Sequence, residues 1–283
     1  MAVLVTGGSG FIGSHVVDKL KESGFDVLVF DILKPHRDDI TFIKGDITSR
    51  DQLNNAMQDI EYVYHIAGAS DINKVEKQPV NAVDLNILST AKVLDAARAN
   101  DVARVLFASS YFVDSGKGHL YATTKKASEM ICSDYNTLYG LPFTILRYGT
   151  AYGPRSRGED VISLFVKRAL SGEPLEIHGS GAQSRNFIYV EDLAKGNVAA
   201  LSEVAKNRTY ILEGCRAVTI RELAEIVTRI FDEDLDIRFG SKRPDDYSGD
   251  KASNISYKEL RWEPEIDIEV GIRRYIKWYT ENK

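Results

Sequence analysis

The N-terminal stretch Ala2-Val3-Leu4-Val5-Thr6, followed by Gly7-Gly8-Ser9-Gly10-Phe11-Ile12-Gly13, decides the fold. Its apolar, β-branched beginning predicts a strand, and the apolar spacing from His15 to Ser23 predicts a helix behind the glycines. Glycines spaced G-x-x-G-x-x-G let the backbone turn tightly and approach a pyrophosphate, which the free N–H groups and dipole of the helix N-terminus attract. The stretch therefore predicts a dinucleotide-binding turn.

An acidic residue follows at the end of the second predicted strand. Residues 26–30 form that strand, and Asp31 ends it, 18 residues after Gly13. A carboxylate at this place accepts hydrogen bonds from both ribose hydroxyls of NAD. Its negative charge also repels a ribose 2′-phosphate, so Asp31 predicts NAD rather than NADP.

The pattern then alternates between strands and helices. Further strands and helices are predicted, in chain order, at 40–44, 50–57, 62–66, 81–100, 104–109, 122–138 and 143–147. Strands separated by helices of this length predict parallel strands joined by crossovers, which is an α/β fold.

After Tyr152-Gly153-Pro154 the pattern changes to shorter, more polar segments. Helices are predicted at 161–171, 192–204, 220–231 and 268–279, strands at 187–190 and 210–212, a strand followed by a turn at 175–183, and a loop at 238–249. We expect a first domain, formed by residues 1–154 and about 187–204, that binds the dinucleotide. A smaller C-terminal lobe, formed by 155–186 and 205–283, is expected to bind the substrate.

Composition excludes several classes of protein. The 283 residues are 43% hydrophobic, which excludes a disordered chain, and the net charge of −5 provides no basic field for nucleic acid or an anionic membrane. Two cysteines are too few for a disulfide framework or a zinc site, and no metal site is predicted. Glycines interrupt the uncharged residues 1–17, which also lack a positively charged leader, so a cytoplasmic protein is expected.

A Tyr-x-x-x-Lys pair opens the helix after the fifth strand. Tyr121 and Lys125 are four residues apart and share one helix face. An ammonium group beside a phenol lowers the pKa of the phenol, and a phenolate can take a proton from a sugar hydroxyl. Ser109 and Ser110 end the fifth strand, at the sheet edge where ligands of doubly wound folds bind. These residues predict a catalytic site.

With these motifs in place, the chain resembles an extended short-chain dehydrogenase/reductase of the NAD-dependent nucleotide-sugar epimerase/dehydratase group over nearly its whole length. The further motifs that carry the resemblance are Gly45-Asp46-Ile47, His65-Ile66-Ala67-Gly68, Asn86, Leu146-Arg147-Tyr148, Tyr152-Gly153-Pro154, the run from Arg185 to Asp192, Arg243-Pro244 and Trp262-Glu263-Pro264. The resemblance implies a doubly wound parallel sheet of the Rossmann type with a smaller substrate lobe.

The resemblance also implies residue roles. For NAD these are Gly7, Gly10 and Gly13 at the pyrophosphate, Phe11 and Ile12 in the same turn, Asp31 at the adenosine ribose, Asp46 and Ile47 at the adenine, Ala67 in the cleft, and Lys125 at the nicotinamide ribose. For catalysis they are Tyr121 as base, Ser110 as its hydroxyl partner, and Lys125. For the nucleotide sugar they are Arg185 and Arg243 at the diphosphate, Asp246 at the ribose, and Thr150 where many relatives have asparagine.

The implied activity is 4-epimerisation of a UDP-hexose, its uronic acid or its N-acetyl form. Relatives that dehydrate the sugar usually have Asp-Glu after the active Ser or Thr, whereas this chain has Tyr111-Phe112. A dehydratase, a reductase and a catalytically idle NAD-binding scaffold stay open as alternatives. The family further implies a homodimer, to which the apolar residues of 82–97 and 128–138 add support because they point in more than one helical direction.

A short loop precedes the catalytic tyrosine. Ten residues, including Gly116 and Gly118, separate Ser110 from Tyr121, fewer than in most relatives. We expect an exposed and mobile active-site mouth there, with His119 as a solvated loop residue.

Overall fold

The computed structural model describes residues 1–114, 119–231, 235–241 and 255–282. Its strands, β1 to β12 in chain order, are Ala2–Thr6, Asp26–Asp31, Thr41–Lys44, Tyr62–His65, Arg104–Ser110, Phe143–Tyr148, Thr150–Tyr152, Leu175–His178, Ser184–Tyr189, Arg208–Leu212, Ala217–Thr219 and Ile237–Gly240. Its helices, α1 to α11, are Phe11–Glu22, Arg50–Ala56, Ile72–Lys77, Pro79–Val83, Ser89–Ala99, Leu120–Tyr139, Val161–Leu170, Val190–Ala199, Ile220–Phe231, Ile255–Leu260 and Ile268–Glu281. A π-helical segment, Asp84–Leu88, joins α4 to α5, and 3-10 turns occupy Tyr111–Asp114 and Glu203–Ala205.

The chain divides into two compact units. The first comprises Met1–Tyr148, Ala194–Ile211 and Ile255–Trp262, and the second comprises Gly149–Leu193, Leu212–Asn254 and Glu263–Lys283. Residues 205–211 belong to the first unit because β10 pairs with β6, whereas the sequence division placed them in the C-terminal lobe. The binding roles of the two units stay predictions.

The first unit is built on a seven-stranded sheet with the order β10-β6-β5-β4-β1-β2-β3. The pairs from β3 across to β6 are all parallel. At β10, the N–H of Asn207 donates to the Phe143 carbonyl at one end, and the N–H of Gly149 donates to the Leu212 carbonyl at the other, so β10 also runs parallel to β6. The predicted doubly wound parallel sheet is confirmed.

The central strands are apolar because helices cover both faces of the sheet. In β1, Val3, Leu4 and Val5 are fully buried, and every residue of β5 is buried. Leu4 belongs to a core with Phe30 of β2 and Phe107 of β5. This packing fixes the carboxyl ends of β1, β4 and β5 along one edge of the sheet.

The second unit has two small sheets and its own core. In the three-stranded sheet β11-β9-β7, β9 pairs antiparallel with β11 and parallel with β7, while β8 and β12 form a parallel pair. Helices α7, α9 and α11 contribute Ile162, Leu223 and Ile272 to the core. None of the helices in the described part of the chain is long and apolar enough to cross a bilayer.

The prediction missed three short strands, the start of one helix and the interruption of another. The strands β7, β11 and β12 have three or four residues, too few for the alternation that predicts a strand. Helix α1 begins at Phe11, earlier than predicted, because its first residues belong to the glycine turn as well. The helix predicted over 81–100 is interrupted by the π-helical segment, which periodicity alone does not reveal.

Candidate active site

The glycine turn is closed by backbone hydrogen bonds. The N–H of Gly7 donates to the Phe30 carbonyl over 3.1 Å, and the N–H of Gly10 donates to the Gly7 carbonyl, also over 3.1 Å. Gly7 has φ of 74°, in the left-handed region that side-chain-bearing residues rarely adopt. Backbone hydrogen bonds at Gly7 and Gly10 therefore close the connection from β1 to α1.

This turn leaves no space for side chains at its glycines. A Cβ on Gly13 would lie 2.0 Å from the Gly7 carbonyl oxygen, and a Cβ on Gly7 would lie 2.7 Å from the Ala67 nitrogen. Gly10 is the N-cap of α1, and no side chain caps that end of the helix. Backbone without side chains in front of an uncapped helix N-terminus fits a pyrophosphate, because phosphate oxygens accept from the first N–H groups.

Asp31 lies beside this turn. Its Oδ2 accepts from the Ser9 N–H over 3.0 Å, and its Oδ1 accepts from the Leu33 N–H over 3.0 Å. The two bonds fix the carboxylate at the carboxyl end of β2. Since a carboxylate has about four acceptor positions, it can still accept from ribose hydroxyls.

Asp46 and Ile47 follow β3. The Asp46 carboxylate accepts from both the N–H and the hydroxyl of Thr48 over 2.8 Å, which holds the turn that precedes α2. Ile47 is buried in the core of the first unit. Both residues lie just after β3, which pairs with β2, and their contact with adenine stays a prediction.

Ala67 follows β4 and is half-buried, and its N–H donates to the Thr6 carbonyl over 3.1 Å. Close by, the Asn86 amide holds the chain at Ala69. Its Oδ1 accepts from the Ala69 N–H over 2.7 Å, and its Nδ2 donates to the Ala69 carbonyl over 3.0 Å and to Thr124 Oγ1 over 2.9 Å. Asn86 thereby connects the π-helical segment, the loop after β4 and α6.

The structure brings Ser110 and Tyr121 together. Ser110 ends β5, Tyr121 lies in the first turn of α6, and the Ser110 side chain is close enough to the Tyr121 phenol to favour its ionised form. Lys125, one turn further along α6, is buried and donates from Nζ to the Ala108 carbonyl over 2.8 Å. Its Nζ also lies 4.9 Å from the centre of the Phe107 ring. All three predicted catalytic residues thus meet at the carboxyl end of β5.

Burial dominates the ionisation of these groups. It raises the pKa of Tyr121 to about 12, against the interaction with Ser110, which favours the phenolate. The expected lowering of the tyrosine pKa is therefore wrong for the chain without cofactor, because burial outweighs the interaction that favours the phenolate. Burial also lowers the pKa of Lys125 to about 8, against the opposing influence of the neighbouring Cys132 and Glu129 side chains.

A buried ion pair lies behind the catalytic residues and was not predicted. Glu129 Oε1 accepts from the Ser109 hydroxyl over 2.6 Å, and the Glu129 carboxylate accepts two bonds from Arg147 over 2.9 and 2.7 Å. Arg147 also pairs with Asp114, which ends the 3-10 turn after Ser110. A glutamate four residues after Lys125 is the sequence signal that could have suggested this pair.

His65 is buried at the end of β4 between two threonine hydroxyls. Its Nδ1 lies 2.9 Å from Thr6 Oγ1 and its Nε2 lies 3.1 Å from Thr90 Oγ1. Burial, followed by the Lys125 charge, lowers the pKa of His65 to about 3, so the imidazole is neutral. Among the residues that the structure describes, no group of three or more His, Cys, Asp or Glu side chains could hold a metal ion.

In the second unit, two predicted substrate residues lie on neighbouring strands. Thr150 begins β7 and pairs with Phe187 of β9, while Arg185 lies on β9 and pairs with Val218 of β11. Both Thr150 and Arg185 are half-buried, and Arg185 Nη1 donates to the Ser184 carbonyl over 2.9 Å. The other two predicted substrate residues, Arg243 and Asp246, lie outside the described residues.

Known proteins have the same architecture and a similar sequence. The chain is 32% identical to a putative UDP-glucose 4-epimerase of Methanocaldococcus jannaschii, over 99% of each chain. It superimposes with a TM-score of 0.91 and 30% identity on a UDP-N-acetylglucosamine 4-epimerase of Methanobrevibacter ruminantium in complex with UDP-N-acetylmuramic acid, over 100% of this chain and 99% of that one. It superimposes with a TM-score of 0.92 and 26% identity on a UDP-glucuronic acid 4-epimerase of Bacillus cereus in complex with UDP-glucuronic acid and NAD, over 100% of each chain.

The family model described as the NAD dependent epimerase/dehydratase family matches residues 3–212. This range includes the glycine turn, Asp31 and the residues Ser110, Tyr121 and Lys125. The chain therefore belongs to the NAD dependent epimerase/dehydratase family, and its cofactor is NAD.

Proposed function

We propose that the protein is a UDP-sugar 4-epimerase that acts on a UDP-hexose, its uronic acid or its N-acetyl form. The observation that carries the proposal is that Ser110 at the carboxyl end of β5 and Tyr121 in the first turn of α6 lie beside the buried Lys125, which bonds the Ala108 carbonyl of β5. The similarity to 4-epimerases of UDP-glucose, UDP-glucuronic acid and UDP-N-acetylglucosamine supports the substrate class.

When bound, NAD supplies a hydride acceptor that can return the hydride, and its oxidised ring carries a positive charge that favours a nearby phenolate. The glycine turn would hold its pyrophosphate, Asp31 its adenosine ribose and Lys125 its nicotinamide ribose. In the proposed reaction, Tyr121 takes the proton of the sugar 4-hydroxyl and Ser110 hydrogen-bonds the same oxygen. After the resulting 4-keto sugar has rotated within the site to present its other face, Tyr121 returns the proton to the oxygen.

Tyr121 must lose its proton to act as base, and the cofactor-free chain opposes this. Its pKa of about 12 leaves only a small phenolate fraction near neutral pH. The interaction with Ser110 favours the phenolate, and the positive charge of the bound cofactor would add a second favourable contribution. We infer that Tyr121 becomes active as a base only in the complex with NAD. In the free protein the phenol stays neutral.

The residues after Ser110 favour epimerisation over dehydration. Tyr111 and Phe112 pack against each other with ring centres 4.4 Å apart, and neither can exchange a proton as a carboxylic acid does. The nearby carboxylate of Asp114 is engaged by Arg147 and by Lys126. A 4-keto sugar formed at Tyr121 would therefore not meet a carboxyl group from this turn that could eliminate water.

We further propose that the protein is a homodimer. In the first unit, several large apolar side chains of α4, the π-helical segment and α6 are exposed, namely Val80, Val83, Leu88, Met130 and Leu138. Exposed apolar residues on neighbouring helices are typical of a helical interface. Light scattering at micromolar concentration tests the proposal: we expect twice the chain mass, and a monomeric mass that persists as the concentration rises contradicts it.

Product analysis tests the activity. Purified protein is incubated with UDP-glucose, UDP-glucuronic acid and UDP-N-acetylglucosamine in separate reactions, and the products are identified by proton NMR. We expect the C4 epimer of at least one of them without net consumption of NAD, because the hydride returns to the sugar. An unsaturated or 6-deoxy-4-keto product would instead identify a dehydratase, and a lack of turnover on the whole panel would contradict the proposal.

A further inference from the structure

His119 does not have the solvated position expected of a loop histidine. It is the N-cap of α6, with φ of −109° and ψ of 145°, and its Nδ1 accepts from the N–H of Ala122 over 3.2 Å. The first N–H groups of a helix have no partner within the helix, so an acceptor at this position stabilises the first turn. That turn carries Tyr121.

The imidazole also contacts Tyr121 directly. The two rings are stacked with an interplanar angle of 13° and centres 6.0 Å apart. On another side, Phe112 meets the imidazole edge-on, with ring centres 5.5 Å apart. His119 therefore lies between the 3-10 turn that follows Ser110 and the phenol of Tyr121.

From this arrangement we propose that His119 is a positioning residue for Tyr121: its neutral imidazole holds the first turn of α6 and supports the phenol ring against the 3-10 turn. Both contacts act on the orientation of the phenol relative to Ser110. The proposal rests on Tyr121 being the base of the proposed epimerase, and it adds a residue outside the Ser110, Tyr121 and Lys125 set.

The cap makes the proposal sensitive to protonation. Because Nδ1 accepts the Ala122 N–H, the neutral ring must carry its proton on Nε2. A second proton on Nδ1 would remove the acceptor, open the cap and place a positive charge beside the phenol. The titratable groups of the surrounding elements are Tyr121 on α6 and Tyr111 in the 3-10 turn, while Asp114 and Lys126 of the same two elements pair over 3.7 Å.

The first test reads the ring itself and needs no turnover. Nitrogen-15 NMR of the protein, which has five histidines, is compared with the spectrum of His119→Asn to assign the His119 signals. At neutral pH we expect the Nε2–H tautomer, with Nδ1 as the unprotonated acceptor. A ring that carries its proton on Nδ1, or that exchanges freely between the tautomers, overturns the proposal. This result is independent of whether a UDP-sugar is converted.

The second test separates the cap from the ring. His119→Asn keeps a side chain that caps helices well but removes the aromatic ring, while His119→Phe keeps a ring but removes the acceptor. Kinetics are measured from pH 5.5 to 9 with whichever of UDP-glucose, UDP-glucuronic acid and UDP-N-acetylglucosamine the protein converts, and His36→Asn, an exposed histidine between β2 and β3, is the control.

For both variants we expect kcat to fall about 2- to 10-fold with little change in KM, as for the loss of one aromatic pair or one helix cap. We expect the parent to lose activity on the acid side near the ordinary imidazole pKa of about 6.5, and this loss should disappear in His119→Asn and persist in His36→Asn. If both His119 variants keep the parent kcat and the parent pH profile, the imidazole does not position Tyr121. If the parent itself converts none of the sugars, the proposed function fails, and the tautomer measurement still decides the role of the cap.

Discussion

The glycine turn and the first turn of α6 both follow strands of the same sheet, but different parts of the chain hold them. The turn from Gly7 to Gly13 is closed by backbone hydrogen bonds and by the absence of side chains. The start of α6 is held by side chains: His119 bonds Ala122, and Lys125 bonds the Ala108 carbonyl. The first region has a fixed shape, whereas the geometry of the second depends on the protonation of its side chains.

The two regions also differ in their proposed roles, because the first would bind the cofactor and the second would transfer a proton. A backbone turn presents N–H groups whose charge does not vary with pH, which suits the binding of a pyrophosphate. In contrast, burial moves the pKa values of Tyr121 and Lys125 in opposite directions, upward and downward. Substitutions in the first region should therefore act through shape, and substitutions in the second through proton affinity.

The sharpest test removes the proposed base. Tyr121→Phe keeps the ring that stacks on His119 and removes only the hydroxyl that interacts with Ser110. Loss of a positioned base should lower kcat by about 10²- to 10⁴-fold while NAD binding stays nearly unchanged. Steady-state kinetics and calorimetric titration with NAD measure the two quantities. Turnover at the parent rate would show that another group is the base.

The second prediction concerns the pH dependence of stability. The pKa of Lys125 is about 8 in the folded protein, below its unfolded value of 10.5. Between these values the unfolded chain binds the extra proton, so the contribution of Lys125 to stability rises with pH across this window and is at its lowest below pH 8. Relative to Lys125→Met, the free energy of unfolding of the parent should increase by roughly 2 to 3 kcal/mol from pH 8 to 10.5.

Urea denaturation at several pH values measures this difference. The matched control is Lys126→Met, because Lys126 is the next residue on α6 and is exposed. The difference between the parent and Lys126→Met should stay nearly constant across the window. A constant difference for Lys125→Met as well would mean that burial does not shift the lysine.

The third prediction tests the region held by shape. In Gly13→Ala the new Cβ would lie 2.0 Å from the Gly7 carbonyl oxygen, a backbone atom that cannot move without opening the turn. We expect a loss of about 1 to 3 kcal/mol in the free energy of unfolding, together with weaker NAD binding. Gly240→Ala, whose Cβ would meet its nearest atoms at 3.7 Å, serves as the control. Equal stability of the two variants would contradict the close approach in the turn.

The smallest effect is expected at Asp31. Asp31→Ala removes the carboxylate that Ser9 and Leu33 orient and that repels a ribose 2′-phosphate. NAD should bind about tenfold more weakly, the loss of roughly one hydrogen bond, and the preference for NAD over NADP should shrink. Calorimetric titrations with both cofactors measure this, and an unchanged ratio of the two affinities would remove Asp31 from the selection of the cofactor.

Sequence patterns predicted the first region well because it depends on local features. The strands β1 and β2 and the turn between β1 and α1 follow from apolar runs and from glycine spacing, which residues at a distance do not alter. The family motif located Ser110, Tyr121 and Lys125 for a similar reason. Each of these residues lies at the end of a strand or in the first turns of a helix.

The second region was predicted less well because its properties come from tertiary contacts. The direction of the Tyr121 pKa shift depends on burial, and the spacing of Tyr121 and Lys125 does not predict burial. His119 was expected to be solvated because a polar residue beside two glycines is typical of a loop. Its role as a cap becomes visible only when the first residue of α6 is known.

The π-helical segment Asp84–Leu88 has a consequence for the length of the chain. A π-helical turn holds one residue more than an α-helical turn, and here that extra residue lets the Asn86 amide bond both backbone groups of Ala69. Deleting a single residue between 84 and 88 would close this wide turn to an ordinary α-helical turn while the flanking helices α4 and α5 keep nearly the same orientation. The deletion would move the Asn86 amide away from the place where it bonds Ala69, so in this segment the number of residues matters as well as the identity of Asn86.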